Sequence, residues 1–140
     1  MKLILIRGIT GSGKTTYAKK LIGQYPMSNV PAHYEADMYF ITKEGEYKWD
    51  SSRVRDAHQW CKESTEYTMK QGGKDVIVSN TFTKLWEMDD YSALAVKYNK
   101  YDIVVYRMLN EYGSIHNVPE ETIIKMRDRM ESMYGEIWVE

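Results

Sequence analysis

The chain has a single cysteine, Cys61, and three scattered histidines, His33, His58 and His116. One thiol excludes an intramolecular disulfide framework, and these residues show none of the spacings of a structural metal site. A dominant charge is also missing: 19 Lys and Arg stand against 20 Asp and Glu, a formal −1 at pH 7. Wrapping duplex nucleic acid by bulk charge needs a strongly basic face, so that mode is excluded and only a local basic groove remains open. No apolar run approaches the roughly 18 residues of a membrane-spanning helix. The apolar start of the chain is too short, and wrongly flanked, for a signal peptide. The expectation is a cytoplasmic protein with no membrane partner. Repeats, low-complexity tracts and long linkers are absent too, and 140 residues suffice for one core but not two, so residues 1–140 are expected to form one domain.

What is present is concentrated near the start. Gly8-Ile9-Thr10-Gly11-Ser12-Gly13-Lys14-Thr15 matches G-x-x-x-x-G-K-[ST]. It follows an apolar run, Lys2 to Arg7, that reads as a buried parallel strand, and precedes a helical pattern with Ala18, Leu21, Ile22 and Tyr25 on one face. Strand, glycine loop and helix make a phosphate cradle, in which the glycines let successive N–H groups turn inward on an anion at the helix N-terminus. The residues assigned to the nucleotide are Gly8, Thr10, Gly11, Ser12, Gly13, Lys14, Thr15 and Thr16. Lys14 would reach the β- and γ-phosphates of ATP, Thr16 the α-phosphate, and the Thr15 hydroxyl would ligate Mg²⁺. With no metal-ligand cluster elsewhere, any metal is expected to arrive with the nucleotide.

Along the rest of the chain, strands alternate with helices. His33 to Ala36 reads as a short second strand leading into Asp37, Val76 to Val78 as a third, and Ile103 to Tyr106 as a fourth ending at Arg107. Lys43-Glu44-Gly45-Glu46 is a turn between aromatic-flanked segments and suggests a hairpin. A helix is expected from about Arg53 to Gln71, stopped by Gly72-Gly73, another from an N-cap at Thr83, and a last one opened by Pro119-Glu120-Glu121. The segment 108–117 is polar and turn-prone. This order predicts a three-layer α/β sandwich on a mostly parallel four-stranded sheet. Its ligand crevice lies at the C-terminal strand ends, where the Gly8 loop, Asp37, Asn80-Thr81 and Arg107 fall.

The fate of the γ-phosphate depends on the acids. Motor and switch NTPases carry an acidic residue at the end of an apolar strand, whereas strand 76–78 here runs into Ser79-Asn80. Asp37 is the acid at a C-terminal strand end, where it would take the proton from an attacking hydroxyl; the alternative is a helix cap or surface carboxylate. Arg107 would stabilise the transferring phosphoryl group or stack on adenine, against a purely structural role. Tyr39, Phe40, Tyr47 and Trp49 interleave with Lys43, Lys48, Arg53 and Arg55, which suits a base or single strand, or else a satellite core with a basic skin. His58 reads as a core histidine and as the second candidate base. Lys125, Arg127 and Arg129 read as a solvated helix face.

These residues resemble the small P-loop kinase-like ATP-binding proteins, a group with the kinase domain of polynucleotide 5′-hydroxyl kinase, NEDD-binding-protein kinase-like domains and bacteriophage ATP-binding proteins. The resemblance rests on Gly8 to Thr16, Glu35-Ala36-Asp37, Gly45-Glu46-Tyr47, Ala57 to Trp60, Ile77 to Met88 and His116 to Glu120. It implies the P-loop kinase fold, ATP and Mg²⁺ as ligands, and Asp37 as general base toward a 5′-hydroxyl. The departures are Met38-Tyr39-Phe40, where that kinase carries a substrate arginine, Asn80 in place of that arginine's acidic partner, and a shortened lid at 108–113. The reading is therefore a kinase acting on a hydroxyl of a nucleoside, nucleotide or polynucleotide 5′ end, with catalytic residues Lys14, Asp37 and Arg107. The alternative is an ATP-binding regulatory module that acts through a partner.

Overall fold

A computed structural model describes residues 1–113 and 118–140. The expectation for His116 and Asn117 lies outside these residues. Strand β1 (Lys2–Arg7) is buried from Leu3 onward on both faces, which is why its sequence is a continuous apolar run and not an alternation. Strands β3 (Val76–Ser79) and β4 (Asp102–Met108) flank it, and β2 (Ala32–Tyr34) and β5 (Ile137–Val139) form the edges. All pairings in the order β2-β3-β1-β4-β5 are parallel.

The sheet thus has five strands, not the four expected. Two of the three residues of β5 are exposed, so it lacks the buried apolar run that marks β1 and β3. Its register on Tyr106–Met108, extended by Leu109 N donating to Val139 O at 2.9 Å, makes it a strand all the same.

Side-chain parity divides the core. Leu3 and Leu5 of β1 face Cys61 and Met69 of α2 (Val54–Gln71) and Tyr91 of α3 (Asp89–Lys97), while Ile4 and Ile6 face Ala18 of α1 (Lys14–Ile22). Helices on both faces make the three-layer sandwich. Each fully buried Leu or Ile contributes roughly 1.5–3 kcal/mol relative to exposure, so the sheet centre anchors the loops at its ends. Gly72 stops α2 at a φ of 71°, and a turn after Ile41 closes the expected hairpin through a bridge to Tyr47.

Thr83 does not cap a helix directly. Phe82 sits at a φ of 44°, Thr83 is buried with its hydroxyl donating to Glu87 Oε1 at 2.8 Å, and a 3-10 turn (Leu85–Met88) precedes α3. The backbone at Phe82–Thr83, before this turn, is clamped by Arg7, which is fully buried and donates to Phe82 O at 3.0 and 2.7 Å and to Glu136 at 2.6 Å. Arg107, in register with Arg7, donates to the same carboxylate at 3.1 Å. Two adjacent guanidiniums thus converge on Glu136, whose carboxyl is held below its usual range: burial opposes the shift, and the bonds from Arg107, Arg7 and Trp138 outweigh it. A last helix, α4 (Glu120–Arg129), opens after Pro119 as expected. Among the described residues no helix is long and apolar enough to cross a membrane.

Candidate functional site

The loop between β1 and α1 has the geometry its glycines require. Gly11 and Gly13 take φ of 81° and 91°, values that L side chains rarely adopt. A Cβ on Gly11 would lie 2.3 Å from Gly113 O. Within the loop Ser12 Oγ is buried without a hydrogen-bond partner among the described residues, an orphan polar atom that an oxyanion would satisfy. Glycine-lined concavity, helix N-terminus and orphan hydroxyl all fit a phosphate group.

Lys14 Nζ donates to Gly8 O at 3.0 Å and Ile9 O at 2.8 Å. Burial pulls its pKa down to about 8, against the opposing charges of Glu35 and Asp37. Thr15 Oγ1 donates to Glu35 Oε1 at 2.7 Å. Burial raises the Glu35 pKa, but bonds from His33 and Thr15 and the charges of His33 and Lys14 outweigh it and hold the carboxyl below its ordinary value. Glu35 therefore stands ionised beside the cradle at neutral pH. In the sequence, Glu35 enters the site only through the resemblance. Its signal was the spacing Glu35-x-Asp37 at a strand end, which brings both acids to the same mouth.

Asp37 follows β2 in a 3-10 turn (Ala36–Phe40), exposed, and accepts from Tyr47 Oη at 3.3 Å. The Tyr47 phenol is pushed up to about 12 by burial and by the Asp37 charge and hydrogen bond. The turn is fixed from β3: Asn80 Oδ1 accepts from Ala36 N at 2.9 Å, and Asn80 Nδ2 reaches Cys61 Sγ at 3.6 Å. A single cleft of about 1240 Å³ is lined by Lys14, Thr15 and Thr16 together with Asp37, Trp49, His58 and Asn80. His58 is half-buried, and desolvation holds its pKa below the ordinary value, so its imidazole is neutral at pH 7.

Arg107 is not part of this assembly. The cleft lining lacks it, and its guanidinium donates to Ser132 Oγ at 2.9 Å and to Glu136. Its parity on β4 is that of Ile103 and Val105, on the face of α2 and α3 and away from α1. The aromatic cluster divides as well: Phe40, Tyr39 and Tyr47 pack with Ala36, Ala57 and Val54, whereas Trp49 is 57% exposed and lines the cleft. Arg127 pairs with Glu111 at 2.6 Å, while Arg129 lines the cleft and donates to Thr83 Oγ1 at 3.0 Å. Segment 110–113 lies against the cradle, with Tyr112 N donating to Gly11 O at 2.7 Å. Among the described residues no three His, Cys, Asp or Glu gather to hold a metal on their own. A divalent ion bound with phosphates would meet Thr15 and Glu35, an all-oxygen set that suits Mg²⁺.

Known proteins share this fold. A family model described as AAA domain matches residues 3–111. Human NEDD4-binding protein 2 is 30% identical over 134 residues, covering 89% of this chain and 7% of that protein. A chain of the Pnkp1/Rnl/Hen1 complex, described as an RNA repair complex, superposes with a TM-score of 0.61 at 20% identity over 95% of this chain and 41% of its own. A sugar kinase from Janibacter sp. HTCC2649 superposes with a TM-score of 0.63 at 14% identity over 99% and 83%. The chain thus spans a small fraction of the human relative and under half of the repair-complex chain, and the shared feature of the solved structures is the fold.

Proposed function

The chain belongs to the AAA domain family, with a P-loop kinase-like fold, and on that premise we propose that it binds Mg-ATP in the cleft and transfers the γ-phosphoryl group to a hydroxyl. The observation that carries this reading is one cleft lined by Lys14 and Thr15 together with Asp37. Asp37 takes the proton of the acceptor hydroxyl as its oxygen attacks phosphorus, and the bond from phosphorus to the bridging oxygen of ADP breaks. Lys14 and the loop N–H groups hold the phosphate oxygens, and Thr15 with Glu35 would hold Mg²⁺, which when bound neutralises charge on the β- and γ-phosphates. Asn80 keeps the Asp37 turn in place through Ala36 N. The acceptor is a nucleoside, a nucleotide or a polynucleotide 5′ end. Exposed Trp49 supplies a stacking face in the same cleft as Asp37, and one fold neighbour belongs to an RNA repair complex. A cytoplasmic setting suits the free thiol of Cys61.

A second reading, an ATP-binding regulatory module with little or no phosphotransfer, is favoured by segment 110–113 resting on Gly11. Labelled ATP incubated with nucleosides, mononucleotides, 5′-hydroxyl oligonucleotides and sugars separates the two. Label in one of the first three classes supports the proposal. Label confined to sugars would reassign the acceptor, and ATP binding without any labelled product would favour the module.

A further inference from the structure

Phosphoryl transfer builds negative charge on the oxygens that move, and a guanidinium meets them with several N–H donors in one plane. Arg107, the arginine that the sequence offered for this task, is bound to Glu136 outside the cleft. Among the described residues the cleft lining contains one arginine, Arg129, the last residue of α4. Its Nη2 donates to Thr83 Oγ1 at 3.0 Å. Thr83 is fully buried and sends its own hydrogen to Glu87 Oε1 at 2.8 Å, so the lone pair it offers Arg129 is fixed in place. Glu131 N donates to Thr83 O at 2.8 Å and strengthens the anchor.

This socket adjoins the glycine loop. Gly8 N donates to Thr81 O at 3.2 Å, which ties the start of the loop to the segment that carries Thr83, and Lys14 Nζ rests on Gly8 O. One helical turn before Arg129, on the same face of α4, Met126 Sδ accepts from Thr10 Oγ1 at 3.3 Å. Arg7, Arg53, Arg107 and Arg127 are each paired with a carboxylate, whereas Arg129 forms no ion pair among the described residues. The acids that share its anchorage are otherwise engaged: Glu87 by Thr83 Oγ1 and Lys84 N, Glu131 by Leu85 N. The bond to Thr83 also leaves N–H donors of the guanidinium unspent. A cation so held, in a cleft beside a phosphate loop, fits an anionic oxygen.

We infer that Arg129 is a further catalytic residue of the cleft. Its guanidinium donates to the γ-phosphoryl oxygens as the bond to the bridging oxygen of ADP breaks and the acceptor oxygen bonds to phosphorus, the acceptor proton passing to Asp37. The inference rests on the reading of the cleft as a kinase site. Calorimetric titration of Mg-ADP, alone and with aluminium fluoride in place of the transferring group, tests it on the wild type, Arg129→Gln and Arg129→Lys. The glutamine keeps an N–H for Thr83 and removes the charge. Arg129→Gln should bind Mg-ADP within about 2-fold of the wild type, yet lose about 10²-fold or more of the tightening that aluminium fluoride gives. Arg129→Lys keeps the charge without the planar fork and should fall between the two. Single-turnover transfer should slow by about the same 10²-fold whether or not the acceptor carries a phosphate. Full tightening in Arg129→Gln, an equal loss with Mg-ADP alone, or slowing confined to phosphorylated acceptors would each overturn the inference and leave the kinase reading standing. Mg-ADP bound by the wild type with no tightening from aluminium fluoride would overturn both.

Discussion

Binding of ATP to the free cradle is expected to take up a proton at Lys14. Nζ now rests on two loop carbonyls, and burial brings its pKa from 10.5 to about 8, against the raising effect of Glu35 and Asp37. Phosphate oxygens restore the charged form. With a pKa of about 8, about half of the lysine is neutral at pH 8 and about nine-tenths at pH 9, so binding should take up about 0.5 and 0.9 proton per site. Between about pH 8 and 10.5 the unfolded chain holds a proton that folded Lys14 lacks, so the free fold gains stability from this residue as pH rises through that window. Titration calorimetry in two buffers of different ionisation enthalpy, with EDTA present, counts the protons. Lys14→Arg stays charged and should show almost no uptake, whatever it does to affinity. A wild-type enthalpy independent of buffer at pH 8 and 9 would refute the reasoning.

Glu136→Ala leaves fully buried Arg7 without its anion and should cost about 3–5 kcal/mol in urea denaturation; a loss under about 1 kcal/mol would mean the clasp is replaceable. Arg107→Gln should leave ATP affinity and transfer rate within about 2-fold of wild type while lowering the melting temperature, and a rate loss of about 10²-fold would return Arg107 to the reacting centre. Gly11→Ala combines a φ of 81° with a Cβ 2.3 Å from Gly113 O, so it should lose about 1–3 kcal/mol of stability and most ATP binding; normal nucleotide affinity would contradict the cradle.

Much of the fold was legible because β1 and β3 are buried on both faces and carry apolar runs, because half-buried β4 keeps the apolar run 103–106, and because the Gly8–Thr15 loop needs glycines where it turns. What was hidden depended on long-range pairing. Arg107 does lie one residue from the end of β4, on the ligand side of the sheet, but parity and a carboxylate 29 residues away at Glu136 direct its guanidinium to the other face. Strand β5 has almost no buried surface to mark it, and the Phe82–Thr83 turn is fixed by Arg7 and Arg129, neither of which is near in sequence. Within the site, Glu35 belongs to the same class: its partner Thr15 is 20 residues earlier, and only the fold shows that the two meet.

The central claim is that Asp37 serves as the base in a phosphoryl transfer, and a single-turnover experiment on Asp37→Asn tests it most directly. With enzyme in excess over labelled ATP and the acceptor class found for the wild type, the variant should bind ATP within about 2-fold of normal. Its transfer step should slow by about 10²- to 10⁴-fold. Transfer at the wild-type rate in Asp37→Asn would contradict the account and move the search to His58, the other candidate base that lines the cleft.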